Sequence, residues 1–163
     1  RGFWWSHIIW ILKPQHESFA FNEYSKYAPD LAKSAYYRWL DRYFLLLQVP
    51  LAMLLYALGG WSFVVYGVFA RSVLLWHSTW FVNSATHCWG YRNFQANDNA
   101  RNLWWVSLLT YGEGWHNNHH TFPHSAQTGW HWWEIDVTWQ TIRLLRRLGL
   151  ATKVRMIPLS KRP

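Results

Sequence analysis

Cysteine is all but absent from this chain. Cys88 is the only one, so no disulfide can close within the chain and no cysteine-based zinc motif exists. Acidic residues are scarce too: eight Asp and Glu stand against sixteen Lys and Arg, which excludes an acidic, solvating composition and leaves an anionic partner to be explained. Position 1 is Arg1 and not an initiator Met, giving the expectation that the start of the protein is missing. No cleavable signal peptide is visible at the start, and there is no internal repeat.

What is abundant is tryptophan. Fifteen Trp in 163 residues, in a chain that is half apolar, favours a membrane-interface protein over a soluble one. The slightly negative mean hydropathy points the other way, but hydropathy scales penalise the Trp, Tyr and His that crowd here, so the local pattern is the better guide. The charges avoid the apolar runs and gather on their flanks and in the tail, as expected for contact with anionic membrane lipids. They are not interleaved with any recognisable nucleic-acid-binding motif, so no nucleic-acid partner is expected.

Along the chain, Phe3 to Leu12 is apolar and aromatic but too short to span a bilayer, and reads as an interfacial segment ending at Lys13-Pro14. Gln15 to Ala35 reads as a water-facing connection with short helical pieces. Tyr43 to Leu58 is almost wholly apolar and as a helix reaches roughly 24 Å, short for a span unless Trp39 and Leu40 extend it. Gly59-Gly60 breaks the run, and a second apolar stretch follows from Trp61 to Val82. Two spans joined so tightly predict a helical hairpin with both outer ends on one side. That side carries Lys26, Lys33, Arg38, Arg42, Arg92 and Arg101, which makes it cytoplasmic. Arg71 and His77 lie inside the second span; Arg71 should face protein or a polar cavity, with a partner outside this chain, and His77 should make a structural hydrogen bond. Further on, Trp132, Ile135, Trp139, Ile142 and Leu145 recur at helical spacing beside Arg143, Arg146 and Arg147, predicting an interfacial helix or a packing helix. The tail from Lys153 to Pro163 is expected to be loosely ordered.

The chemistry centres on Gly112-Glu113-Gly114-Trp115-His116-Asn117-Asn118-His119-His120. If Trp115 to His120 is helical, His116, His119 and His120 stand at i, i+3 and i+4 and share a face. Neutral imidazoles suit iron, zinc or copper. If the second span continues to Cys88, then Trp80, Asn83 and His87 share a face as well, with Thr79 beside them and Trp80 about 10 Å deeper than His87. His7, His16, His124 and His131 have no ligand spacing and should be interfacial or solvated.

The order of Ser6-His7, Trp80-Phe81-Val82-Asn83-Ser84-Ala85-Thr86-His87 and the nine-residue cluster resembles the C-terminal half of the membrane fatty acyl desaturases of the delta-9 type. The resemblance covers essentially the whole chain. It implies an all-α membrane protein, with a transmembrane helical hairpin and a cytoplasmic helical cap with interfacial helices. Residues 1–163 would then be the C-terminal part of one desaturase domain, without the N-terminal hairpin and the first two histidine boxes. It implies two iron ions as cofactor and dioxygen as co-substrate. Partners would be a fatty acyl chain carried as acyl-CoA or acyl-lipid, membrane lipids, and an electron donor such as cytochrome b5 or a ferredoxin. Carried over residue by residue, His87, His116, His119 and His120 are metal ligands and Asn83 reaches a metal through water. Thr79 and Trp80 contact the substrate, and Glu113 can orient a ligating imidazole from outside the ligand set. Four histidines are too few for two metals, so the piece by itself should be inactive. The rival expectations are a membrane di-iron hydroxylase, or a non-catalytic Trp-rich membrane remnant.

Overall fold

In a computed structural model, residues 2–12 and 25–157 are described. The expectations for His16, for most of the connection from Gln15 and for the end of the tail lie outside them. Among the described residues the chain is helical, without strands; its only β pairing is two isolated bridges, Tyr91 with Asn102 and Asn102 with Trp115. It divides into two compact units, residues 11–75 and residues 1–10 with 76–163.

In the first unit, Pro29 starts α2 (Pro29–Lys33), where its missing N–H costs nothing, and α3 (Ala35–Tyr43) follows. A 3₁₀ turn (Phe44–Leu47) leads into α4 (Gln48–Val64), which continues through a π-helical turn (Val65–Ala70) into α5 (Arg71–Ser84). The run Ala35–His87 is long and apolar enough to cross a membrane, with a mean hydropathy of 1.7 in its most apolar window and none of that window buried. Helix therefore begins before Tyr43 and includes Trp39 and Leu40, the extension that the apolar run needed.

This run is not one straight rod. Gly59 (φ −159°, ψ 20°) and Gly60 (φ 65°, ψ −157°) leave helical geometry in the middle of α4. Gly60 occupies a region open essentially to glycine alone. On either side of the break, Leu55 lies against Gly67, where a Cβ would meet Leu55 Cδ1 at 2.6 Å, and Arg71 Nη2 donates to Gln48 Oε1 at 3.2 Å. Both contacts join residues from opposite sides of Gly59-Gly60. Arg71 thus finds a partner in Gln48, within this chain, and stays exposed.

Met53, Leu54, Leu58, Trp61, Tyr66, Phe69 and Leu74 all point outward. At about 1.5–3 kcal/mol for each large apolar side chain, leaving them in water forfeits on the order of 10 kcal/mol, comparable to the whole stability of a domain. Lipid or other protein must cover them.

The second unit begins with α1, a π-helical turn (Trp5–Ile9) that continues as α-helix (Trp10–Leu12). It is fixed to α5 by His7, which is expected from the sequence to be interfacial or solvated and is buried. Ser84 Oγ donates its single proton to the Trp80 carbonyl at 2.9 Å and so accepts from His7 Nδ1, also at 2.9 Å. His7 Nε2 is then the acceptor for His77 Nδ1 at 2.9 Å, the structural hydrogen bond expected of His77. Phe3 and Phe81 pack with Val82 and Trp105 onto a small core of Ala85, Leu103 and Val106. This core lies directly beneath the end of α5, where the helix tightens into a 3₁₀ turn (Ala85–His87).

After a loop come α6 (Trp104–Leu109), α7 (His116–Thr121) and α8 (Val137–Arg147). Asp136 caps α8, accepting from Trp139 N at 2.8 Å through Oδ1 and from Thr128 N at 2.7 Å through Oδ2. Two of the five residues read as its apolar stripe, Trp132 and Ile135, precede α8 and are exposed, whereas Trp139 is its buried anchor. Part of the tail is ordered: Ala126 N donates to Arg155 O at 2.9 Å, and Ile157 is buried.

Gly60→Ala should lower the stability of the full-length protein by about 1–3 kcal/mol, whereas Gly2→Ala, with open space around it, should not. Thermal unfolding of both variants in the same detergent checks this.

Candidate metal centre

Helical spacing puts the nine-residue cluster to use in a definite way. In α7 the residues His116, His119 and His120 fall on one face, while Asn117 and Asn118 fall on the other. The start of α7 is set by Gly114, whose backbone presses on α6: a Cβ there would meet Ser107 N at 2.1 Å. Leu103 N donates to Gly114 O at 2.9 Å, and Trp115 fills the space below with its Nε1 donating to Ile135 O at 2.9 Å.

Three imidazoles from two distant segments meet here. His87, His116 and His120 each offer a ring nitrogen within 4.8 Å of the others. Ring centroids are 5.1 Å apart for His87 and His116, 5.5 Å for His87 and His120, and 4.2 Å for His116 and His120. His119 lies beside this trio, its ring 5.9 Å from His116 and 5.7 Å from His120, but outside the set of three nitrogens.

His116 is the decisive member. It is buried, and neither ring nitrogen has a hydrogen-bond partner. A buried polar group without a partner costs about 1–3 kcal/mol, a penalty that protein packing normally removes. Burial, together with the neighbouring His120, His87 and His119, pushes its pKa down to about 3. It therefore keeps a neutral lone pair, the form that binds metal. Donor chemistry, spacing and the unsatisfied nitrogens together fit a first-row transition ion.

His120 is oriented from behind. Its Nδ1 contacts Asp98 Oδ2, which leaves Nε2 for the trio, the arrangement by which carboxylates fix ligating imidazoles. Burial works to raise the pKa of Asp98, but Ala100 N–H, donating to its Oδ1 at 2.8 Å, and His120 outweigh it and hold the carboxyl below its usual range. The carboxylate at hydrogen-bond distance from a cluster imidazole thus belongs to Asp98, while Glu113 is exposed.

The other expected residues lie on the α5 side. Asn83 is exposed and shares with His87 a polar cleft of ≈ 450 Å³ that Trp5, Ser6 and Asn99 also line. Thr79 is exposed, and Trp80 is half-buried with its ring 5.0 Å from His77 and 5.8 Å from His7. The sequence marks the loop 88–103 only for the side that carries Arg92 and Arg101, yet it supplies Asp98, Asn93 and Asn102. The available signals were the density of Asn there and the two Asn between the histidines.

The family model for fatty acid desaturase matches residues 1–151. The chain belongs to the fatty acid desaturase family. It is 70% identical over 158 residues to an sn-2 palmitoyl-lipid 9-desaturase of Nostoc sp. (strain 36), a match covering 97% of this chain and 55% of that protein. It is 51% identical to an sn-1 stearoyl-lipid 9-desaturase of Anabaena variabilis, covering 96% and 56%. With an acyl-CoA C20 Delta5-desaturase of Anemone leveillei it shares 44% identity, covering 96% and 50%. This desaturase segment spans about half the length of the curated relatives it matches.

His116→Leu should stabilise the metal-free full-length protein by about 1–3 kcal/mol, because it removes two unsatisfied nitrogens, and should lower bound metal. Denaturant unfolding of the metal-free form, paired with elemental analysis of the loaded one, checks both halves.

Proposed function

We propose that this segment supplies part of the metal-binding and substrate-holding region of a membrane desaturase that introduces a double bond into a saturated acyl chain carried on a lipid. The observation that carries this reading is the meeting of His87, His116 and His120, with His116 buried and unpartnered. Methylene carbons offer no acidic proton and no leaving group, so a site built of acids and bases alone could not open them. Desaturation takes two hydrogens from adjacent carbons and, with dioxygen, two electrons and two protons, yields two waters. The electrons come from a donor of the cytochrome b5 or ferredoxin kind.

Two irons, when bound, supply the oxidising power that the side chains lack. His87, His116 and His120 hold one, His119 is a ligand for the second, and the remaining ligands come from the rest of the full-length protein. Asp98 orients His120, the role expected of Glu113, and Asn83 reaches a metal through water from the cleft it shares with His87. Thr79 and Trp80, one to two turns further along α5, hold the acyl chain. The segment Ala35–His87 forms a transmembrane hairpin reversing at Gly59-Gly60, and the basic residues before and after it support a metal centre on the cytoplasmic side. The lipid-linked substrate is favoured over acyl-CoA by the 70% identical relative, which is named for a palmitoyl-lipid.

Expressed at full length in a host without this activity, the protein should raise monounsaturated acyl chains in the membrane lipids, and His116→Ala should abolish the increase. Gas chromatography of total lipids reads the result. A hydroxylated chain would replace this reading with a hydroxylase, and an unchanged profile with wild-type protein present would end it.

A further inference from the structure

The face of α7 turned away from the histidines is held by a knot of neutral polar groups around one buried carboxylate, Glu134, which is 4% exposed. Its Oε1 accepts from Tyr91 Oη, from Asn93 Nδ2 at 2.7 Å and from Asn102 Nδ2 at 3.5 Å. Its Oε2 accepts from Asn118 Nδ2 at 2.8 Å, from Trp130 N and from His131 N at 3.1 Å. Burying an anion without a countercharge is costly, and hydrogen bonds to a charged group are among the strongest that can offset it. Six donors can meet that cost. Glutamine could not, since it has one acceptor oxygen and its amide nitrogen would confront donors.

Two links lead from this carboxylate into α7. Asn118 Oδ1 accepts from Asn93 Nδ2 at 3.0 Å and Asn102 Nδ2 at 2.9 Å, and Asn102 Oδ1 accepts in turn from Asn117 N at 3.0 Å and Asn118 N at 3.3 Å. Asn102 therefore satisfies amides that the first turn of a helix leaves without partners. It caps α7 from another segment. Asn117 makes the parallel connection to the 93–100 loop, its Oδ1 accepting from Asn93 N at 3.0 Å and Phe94 N at 2.9 Å and its Nδ2 donating to Ala100 O at 3.2 Å. That loop carries Asp98, the partner of His120.

We propose that Glu134 is the positioning residue of the metal centre: through Asn118 and Asn102 it fixes the rotation and start of α7, and so the directions in which the histidines present their nitrogens. The proposal rests on the metal-binding role argued above. Every group in the knot comes from this chain, and none is a metal ligand.

Two measurements on the full-length protein test it. Fe(II) affinity by competition with a chelator should fall ten- to a hundredfold in Glu134→Gln. In the metal-free form, the amides of Asn117 and Asn118 should exchange with solvent at least tenfold faster, while those of α8 remain as in the native protein. Asn118→Ala, which cuts one link and leaves Glu134 its other donors, should move both readouts in the same direction and serves where Glu134→Gln does not fold. Native affinity and native exchange in the variants would overturn the proposal, as would equal acceleration in α8, which means general loosening. Should native protein bind no Fe(II), the metal-binding role is what fails, and the exchange rates still decide whether Glu134 holds α7.

Discussion

A ligating imidazole cannot be held in place by the nitrogen that it presents to a metal. His116 meets that condition, with both ring nitrogens buried and free of partners, so they contribute no hydrogen bond to the folded state. All the fixing must come from elsewhere. In α7 it comes from the opposite face and the helix start: Asn117 and Asn118 are fully bonded, Asn102 caps the first amides, and Gly114 lets the preceding backbone lie directly on α6. A helix of six residues has too few internal hydrogen bonds to persist alone. Its existence is imposed by tertiary contacts.

The α5 side solves the same problem differently. His87 sits where a long helix tightens into a 3₁₀ turn, and its placement follows from the packing of Ala85 under Leu103 and Val106, with Phe3 and Phe81 alongside. The His7–His77 and His7–Ser84 hydrogen bonds pin α1 against the same stretch of α5, one turn from Trp80. An apolar core thus carries one histidine and a polar knot carries the others. His87 also lines, with Asn83, the cleft beside α1.

What the sequence made legible was periodic or contiguous. The i, i+3, i+4 spacing of the histidines, the apolar runs and the Gly59-Gly60 break are local patterns, and the described structure carries a helix or a break at each. What it hid was set by contacts between distant segments. Asp98 meets His120 across 22 residues, Glu134 meets Asn93 across 41, and His7 meets His77 across 70. No helical or alternating period reveals such pairs. Glu113 drew attention because it is adjacent in sequence; it lies exposed in the turn before α7, and a loop brings another acid, Asp98, to the imidazole of His120. The stripe assigned to α8 was misread at its start for a related reason: Asp136 is a strong cap, and its side chain ends the helix before Trp132 and Ile135 can join it.

The scarcity of acid in this chain takes on a sharper meaning beside the site. Of eight Asp and Glu, three, namely Asp98, Glu134 and Asp136, serve the segments that build the histidine face, and the last two are buried. Neutral imidazoles would leave a divalent ion's charge uncompensated, and beside the buried His116 that charge would act over a longer range than in water. Carboxylates behind the ligands lower the free energy of the occupied state without competing for coordination positions, provided that each is locked to other donors. Asp98 is tied to Ala100 N and His120, Glu134 to six donors, and Asp136 to Thr128, Gly129 and Trp139. The acids are few, and these three are committed to hydrogen bonds within the segments around the histidine cluster.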